Sequence, residues 1–512
     1  MSYVKESALF HLLFFLYQHL LSAYRQSGLA RLWNRFAAWL TVKWRQSFLV
    51  HLFYDEGRLS KAWGSCALRA GLEWLLNLPL RLIQWIYRLL KRPFDQSFFA
   101  TLAFEVGKEA FVAASWFMAL ILFIPYAHWN NAYSLILFTF VLALVFLGAM
   151  NVPSARFSLM DVGPYLVCFF FAVCLSVPLS DYPDLSGRYL VYHLSCAFVV
   201  LALVNAVDNS RQLLRLGGGL ALGVLAAAGY GIYQCVVIGV EVNASYVDLS
   251  VNADMPGRVY SYFENPNALA ELLLLALPIL VALVFGSRRW ASKFAAAFIF
   301  IIGVICIAMT YSRASWVGLA AAAVVYVFFW NRRLLPLFFV AAVAAIPLLP
   351  TSVLNRILTI FNLNDTSTSS RFPQYEAIFR LLCNEPVTGA GLGADAVRQA
   401  VRMQSLYQGT APFVHAHNTL LQIWAENGLV GMLSFLGSVI WTVKGTARSI
   451  KTCSDNAARH MAIGGTAALL GAMVNGLADY LWTYPRIMFV FWFVFGLTLA
   501  AIKVCKAESA QT

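Results

Sequence analysis

The chain has 512 residues, of which 60% are hydrophobic and only 12% charged, with a formal net charge of +13. Soluble domains typically carry about a quarter charged residues, so this balance excludes an ordinary soluble enzyme and points to a polytopic membrane protein. The charge is unevenly placed: residues 1–108 hold 14 Lys/Arg against 6 Asp/Glu, and a basic, Trp-rich segment ahead of a membrane domain points to anionic lipid headgroups rather than nucleic acid.

An apolar run at 8–21 contains His11, Gln18 and His19 and has no small-residue cleavage site after it, so it is not expected to be a cleaved signal peptide. Residues 31–39 and 72–91 alternate basic and apolar residues at helical spacing. In the second stretch Trp74, Leu75, Leu78, Leu82, Trp85, Ile86 and Leu89 are set against Arg81, Arg88 and Lys91. That pattern suits a helix lying in the membrane interface, or a helical hairpin packed on the main domain. Both place residues 1–108, a basic amphipathic helical extension, on the cytoplasmic side.

From 109 to 503 the apolar lengths predict about twelve transmembrane helices: 110–127, 133–150, 160–178, 188–207, 213–238, 268–286, 294–310, 316–330, 334–350, 417–442, 460–477 and 486–503. Lys and Arg concentrate in alternate connections, the short outer ones holding almost none beyond Arg188, Arg258, Arg313 and Arg486, which places both termini inside and leaves a short cytoplasmic tail, 504–512. Two outside connections are long, 239–267 and 351–416. The second carries two amphipathic helical patterns, Arg371 to Leu382 and Asp395 to Tyr407, separated by the glycine-rich stretch Pro386 to Gly393. The nine cysteines show no CxxC or metal spacing, and no disulfide framework is expected.

On this topology the polar residues of the outer face form a group. Arg258 precedes Asn265-Pro266-Asn267, a helix start with Asn265 as cap and Pro266 as first residue. Arg313 lies in the tight turn before the eighth helix, and Arg371 opens the helical part of the large loop. His415 and His417 precede Asn418 at the mouth of the tenth helix. The histidines have capping or packing roles open to them, and no third ligand with suitable spacing suggests a metal site. Glu271, one turn into the sixth helix, is explained by the helix dipole or by acceptor binding.

Several arginines at a membrane face suit a lipid-linked pyrophosphate, because guanidinium offers fixed charge and bidentate hydrogen bonds. A neutral histidine nearby suits removal of a proton from an attacking hydroxyl. Arginine can also stabilise a diphosphate leaving group without a metal ion. The chain contains no Walker loop, GxSxG or dinucleotide fingerprint.

At these residues the chain resembles the O-antigen ligase and polymerase superfamily of bacterial envelope polysaccharide enzymes. The resemblance spans roughly 110–503 and rests on motifs in order: Asn265 to Ala270, Ser312-Arg313-Ala314-Ser315-Trp316, Ser369-Ser370-Arg371, Pro386 to Gly393, and His417-Asn418-Thr419-Leu420 leading to Glu426-Asn427-Gly428-Leu429-Val430-Gly431. It implies a metal-independent, inverting glycosyltransferase without cofactor. Such an enzyme takes a glycan from undecaprenyl diphosphate and passes it to an acceptor hydroxyl, on the lipid A core in the ligases and on a lipid-linked repeat unit in the polymerases. By position, Arg313, Arg371 and Arg258 hold the diphosphate, and His417 activates the acceptor with His415 in support. Glu271, Asn267, Asn418 and Glu426 serve the acceptor or the structure. The implied setting is the bacterial inner membrane, with the site on the periplasmic face. A polymerase is the alternative, and a lipid-glycan flippase or transporter a further one, against which the nearly charge-free helix midplanes argue. Residues 1–108 have no counterpart in the resemblance and are candidates for contact with other envelope-biosynthesis proteins or membrane lipids.

Overall fold

The computed structural model describes residues 58–243, 256–263, 265–358, 369–409 and 412–511, with scattered positions between 15 and 43. The apolar run 8–21 lies largely outside the described residues. The protein divides into two compact units, Met1–Ala62 and Trp63–Thr512. In the first, the described positions of 31–39 are helical, with Leu32, Phe36 and Trp39 exposed and the Phe36 and Trp39 rings stacked at 5.9 Å. The expected all-helical class holds: no strand occurs among the described residues.

Five short helices come first: α1 (Arg58–Gly64), α2 (Ala67–Leu76), α3 (Leu78–Leu89), α4 (Lys91–Gln96) and α5 (Phe98–Lys108). The apolar body follows with α6 (Ala110–Phe123), α7 (Ala132–Met150), α8 (Pro164–Ser176), α9 (Pro183–Ala206), α10 (Ser210–Tyr233), α11 (Pro266–Gly286), α12 (Trp290–Met309), α13 (Arg313–Asn331) and α14 (Leu335–Ala345). The large loop contributes α15 (Thr351–Leu358), α16 (Arg371–Asn384) and α17 (Ala394–Met403). The chain ends with α18 (Thr419–Thr452), α19 (Asn456–Asn475) and α20 (Pro485–Gln511).

Helices stand at all twelve expected places, but by length and composition only eight segments are apolar enough to cross a membrane, or nine if the bent pair α5–α6 is one span. Among the described residues the count of about twelve crossings is therefore not reached by this criterion. The shortfall has visible causes. α8 has only 13 residues, and α19, rich in Gly and Ala and carrying Arg459 and His460, falls short of the apolarity required. α5 and α6 meet at 64°. Residues Arg313–Leu348 form one 36-residue apolar segment. A straight helix of that length would be roughly 54 Å long, yet Tyr311 Oη, just before it, lies 3.1 Å from Ser352 Oγ, just after it. This segment therefore folds back on itself.

α11 is buried along nearly its whole length, and α19 packs against α11, α13 and α20. The α13–α19 contact is closed by Gly318 and Gly471, where a Cβ on either would strike the other's carbonyl oxygen. Small residues at a helix crossing let two backbones approach where no hydrophobic driving force separates lipid from protein.

The helices define two ends. At one, Lys503 Nζ donates to the Val204 and Val207 carbonyls (3.1 and 3.0 Å) and pairs with Asp208, while Lys506 pairs with Asp161 at 2.8 Å. At the other, the connections between α6 and α7, before α11, before α13, before α18 and after α19 come together. The candidate site lies at this second end.

Candidate active site

The α11 start forms as its sequence dictates. Asn265 Oδ1 accepts from the Asn267 and Ala268 amides (2.8 and 3.0 Å), and Pro266 takes the first helical position, where no amide is needed. Asn267 Oδ1 accepts from Arg258 Nη2 at 2.7 Å, and its Nδ2 donates to Asp479 Oδ2 at 3.3 Å. Arg258 is buried, and its Nε donates to the Thr310 carbonyl at 2.7 Å. Arg313 follows three residues later, at the first turn of α13.

The His415–His417 stretch is held from both sides. Thr419 N donates to Gly476 O (2.6 Å), Thr419 Oγ1 donates to Asp479 O (3.0 Å), and Asn418 Nδ2 donates to Leu477 O (3.1 Å). Asn418 Oδ1 caps α18 by accepting from Leu421 N at 3.0 Å. From the large loop, Tyr375 Oη donates to the His417 carbonyl at 3.3 Å. These bonds keep His417 at φ +44°, in the left-handed region that a non-glycine residue rarely adopts. Tyr311 (φ +51°) and Ser261 (φ +58°) share this property at the same end.

His417 Nδ1 lies 3.3 Å from Asp479 Oδ1, close enough for charge pairing but not aligned as a hydrogen bond. The two imidazoles lie 4.0 Å apart. His415 is buried, and its Nδ1 accepts from the His417 amide at 3.1 Å. Burial, with the neighbouring His417 ring and the Arg371 charge, pushes the His415 pKa down to about 3, so its ring is neutral at ordinary pH. Burial alone would raise the Asp479 carboxyl. His417, His415 and Arg371 outweigh it and hold Asp479 below the usual carboxylate range, ionised.

Every residue singled out from sequence is thus at or beside one end of the bundle. His415, His417, Arg258 and Asn267 join through Asp479 into one chain of polar contacts. Arg371 reaches it electrostatically, and Arg313 stands beside the Thr310 carbonyl that receives Arg258. Glu271 is linked more distantly: its Oε1 accepts from Asn475 Nδ2 at 3.4 Å, and Asn475 Oδ1 accepts from Ser315 at 3.1 Å. Glu426, fully buried in α18, accepts from Tyr480 Oη (2.9 Å) and Gln422 Nε2 (2.8 Å); Gln422 Oε1 accepts the Ala416 amide at 2.8 Å. Glu426 therefore braces the histidine stretch from below.

Sequence reasoning missed Asp479 and Tyr375. Asp479 had a signal: it is a lone acid in the short turn after α19, on the face that the charge alternation assigned to His417. It also alters the metal question. His415, His417 and Asp479 place one ligating atom each within 4.8 Å of one another, a third ligand the spacing did not show. The set is poorly prepared for a cation, because His415 Nδ1 is already engaged by the His417 amide.

Residues 297–436 match the family model described as O-antigen ligase. The matched segment contains Arg313, Arg371, His415, His417 and Glu426, while Arg258, Asn267, Glu271 and Asp479 lie outside it. No curated protein matches the chain.

Proposed function

We propose, from the O-antigen ligase family segment at 297–436 and the site at its outer end, that the protein is a membrane glycosyltransferase moving a glycan from undecaprenyl diphosphate to an acceptor hydroxyl. The observation that carries this reading is the single polar chain His417–Asp479–Asn267–Arg258, which brings a histidine and an arginine to one mouth and so supports a proton acceptor and a phosphate-binding cation there.

In this mechanism Asp479, ionised, faces His417 Nδ1 and leaves Nε2 for the acceptor. His417 takes the acceptor proton as the oxygen attacks the anomeric carbon. The bond from that carbon to the diphosphate oxygen breaks, and the diphosphate leaves with the electron pair. Arg258, Arg313 and Arg371 hold the leaving charge, which removes the need for a metal ion. Attack opposite the leaving group inverts the anomeric centre. The family match supports a bacterial inner-membrane setting, and the Lys/Arg bias of the other end supports an orientation with both termini cytoplasmic and the site periplasmic.

The test is glycan transfer by purified protein, in the presence of a chelator, from a lipid-diphosphate donor. The expected result is glycosylated acceptor with release of undecaprenyl diphosphate. Movement of donor across vesicles without chemistry would overturn the reading in favour of a flippase. Acceptor choice separates the two transferase readings: lipid A core marks a ligase, a second lipid-linked repeat unit a polymerase.

A further inference from the structure

α3 is anchored to the protein by two polar side chains: Asn77, at its cap, exchanges hydrogen bonds with Phe157 (2.8 Å each), and Gln84 Nε2 donates to Ala149 O (3.3 Å) and Val152 O (2.9 Å). Leu80, between them, is 1% exposed. Leu78, Leu82, Trp85 and Leu89, spaced four, three and four apart, form one stripe on the opposite side, and Leu89 is 62% exposed. Trp74, just before the helix, is exposed as well.

The height of this stripe is set by its partners. α7 is a membrane-length helix ending at Met150, and Gln84 is bonded to carbonyls on either side of that end. α3 is therefore held at the level where a span leaves the hydrocarbon, at the end opposite His417. Four exposed cations, Arg81, Arg88, Lys91 and Arg92, border it. The nearby acid Asp95 is engaged by Tyr87 Oη at 2.7 Å.

We infer that this face docks on the anionic phospholipid headgroups of the leaflet opposite the candidate active site. The leucines and Trp85 enter the acyl boundary, and the arginines and Lys91 bind headgroup phosphates. The inference is independent of the glycosyltransferase reading. A partner protein is the other candidate for an exposed apolar stripe. Three observations favour lipid: the placement at the end of a span, a tryptophan on the stripe, and a border of four cations against one acid.

The experiment places a photoreactive phenylalanine analogue at Leu82 in the full-length protein, in cells, and identifies adducts by mass spectrometry. Phospholipid adducts are expected; protein adducts, or none to lipid, would overturn the inference. In parallel, the combined Arg81→Gln, Arg88→Gln, Lys91→Gln, Arg92→Gln variant is reconstituted with mixed phosphatidylcholine and phosphatidylglycerol. Native mass spectrometry should show it keeping several-fold less bound phosphatidylglycerol than the parent protein, with phosphatidylcholine unchanged. Equal retention of phosphatidylglycerol would also overturn it.

Discussion

His417, the proposed proton acceptor, also stands in an unusual backbone conformation. Its φ of +44° costs on the order of 1–2 kcal/mol for a non-glycine residue, so the surrounding bonds must hold it there. Asn267 is the residue through which that position communicates with Arg258. We predict that Asn267→Ala slows transfer by roughly tenfold, the loss of a charge-assisted hydrogen bond. Its pH–rate profile should shift as well, because Asp479 loses a donor and its field on His417 changes. An unaltered profile would assign Asn267 to structure alone. The two titrating neighbours also govern stability. His415 and Asp479 both have folded pKa values below their unfolded ones, so the unfolded chain binds more protons in acid and stability rises with pH. The His415 contribution is complete above about 6.5 and is lost as pH falls toward 3; that of Asp479 goes at still lower pH. Thermal unfolding in detergent should show a falling transition from pH 7 to pH 4, flattened in His415→Gln. A transition that does not move with pH would contradict this. His417 and His415 were legible in the sequence because two histidines and a cap stand together at a helix mouth. Asp479 showed only as a lone acid on the same face; its pairing with His417 was not legible, because the two are 62 positions apart and only the packing of α19 beside α18 brings them together.

At the scale of elements, the Glu426-Asn427-Gly428 segment explains itself only in three dimensions. α18 is broken at Gly428, which has φ +66°. The glycine-rich stretch 386–393 runs into this break: Leu429 N donates to Pro386 O (3.1 Å) and Ala390 N to Ala425 O (2.8 Å). A Cβ on Gly428 would strike the Val387 carbonyl. Two motifs far apart in the chain are thus one joint, which fixes the large loop over the site. The loop is further tied down at α17, where Asp395 pairs with Arg188 and accepts from Tyr189 Oη at 3.0 Å. Gly428→Ala is predicted to cost about 2 kcal/mol or more, from positive φ and the clash together, and to lower the apparent Tm in detergent with a parallel fall in transfer. An unchanged Tm would show that the break is not needed. Helix existence was legible from apolar length, and the Asn265 and Asn418 caps from local chemistry. The joint was not, because glycine motifs announce unusual backbone without naming what they approach.

For the whole molecule, the proposed transfer site and the proposed lipid-docking face stand at opposite ends of the bundle. The end with Lys503 and Lys506 carries the larger share of the connecting cations and the amphipathic helix α3. The other holds the buried polar chain, although the intervening helices are almost wholly apolar. Charge alternation along the sequence anticipated which residues share an end. It did not anticipate how many segments are long enough to cross, since the fold-back within 313–348 and the bend at α5–α6 depend on packing. The central claim is that His417 is the proton acceptor for transfer, with the arginines as donor holders. It is tested most directly by single-turnover transfer alongside donor binding, for His417→Ala and Arg313→Ala. The account predicts that His417→Ala binds the lipid-diphosphate donor as the parent does yet transfers about 100-fold or more slowly, the usual worth of a general base, while Arg313→Ala loses donor affinity. Parent-level transfer by His417→Ala, with correct folding and membrane insertion, would contradict it.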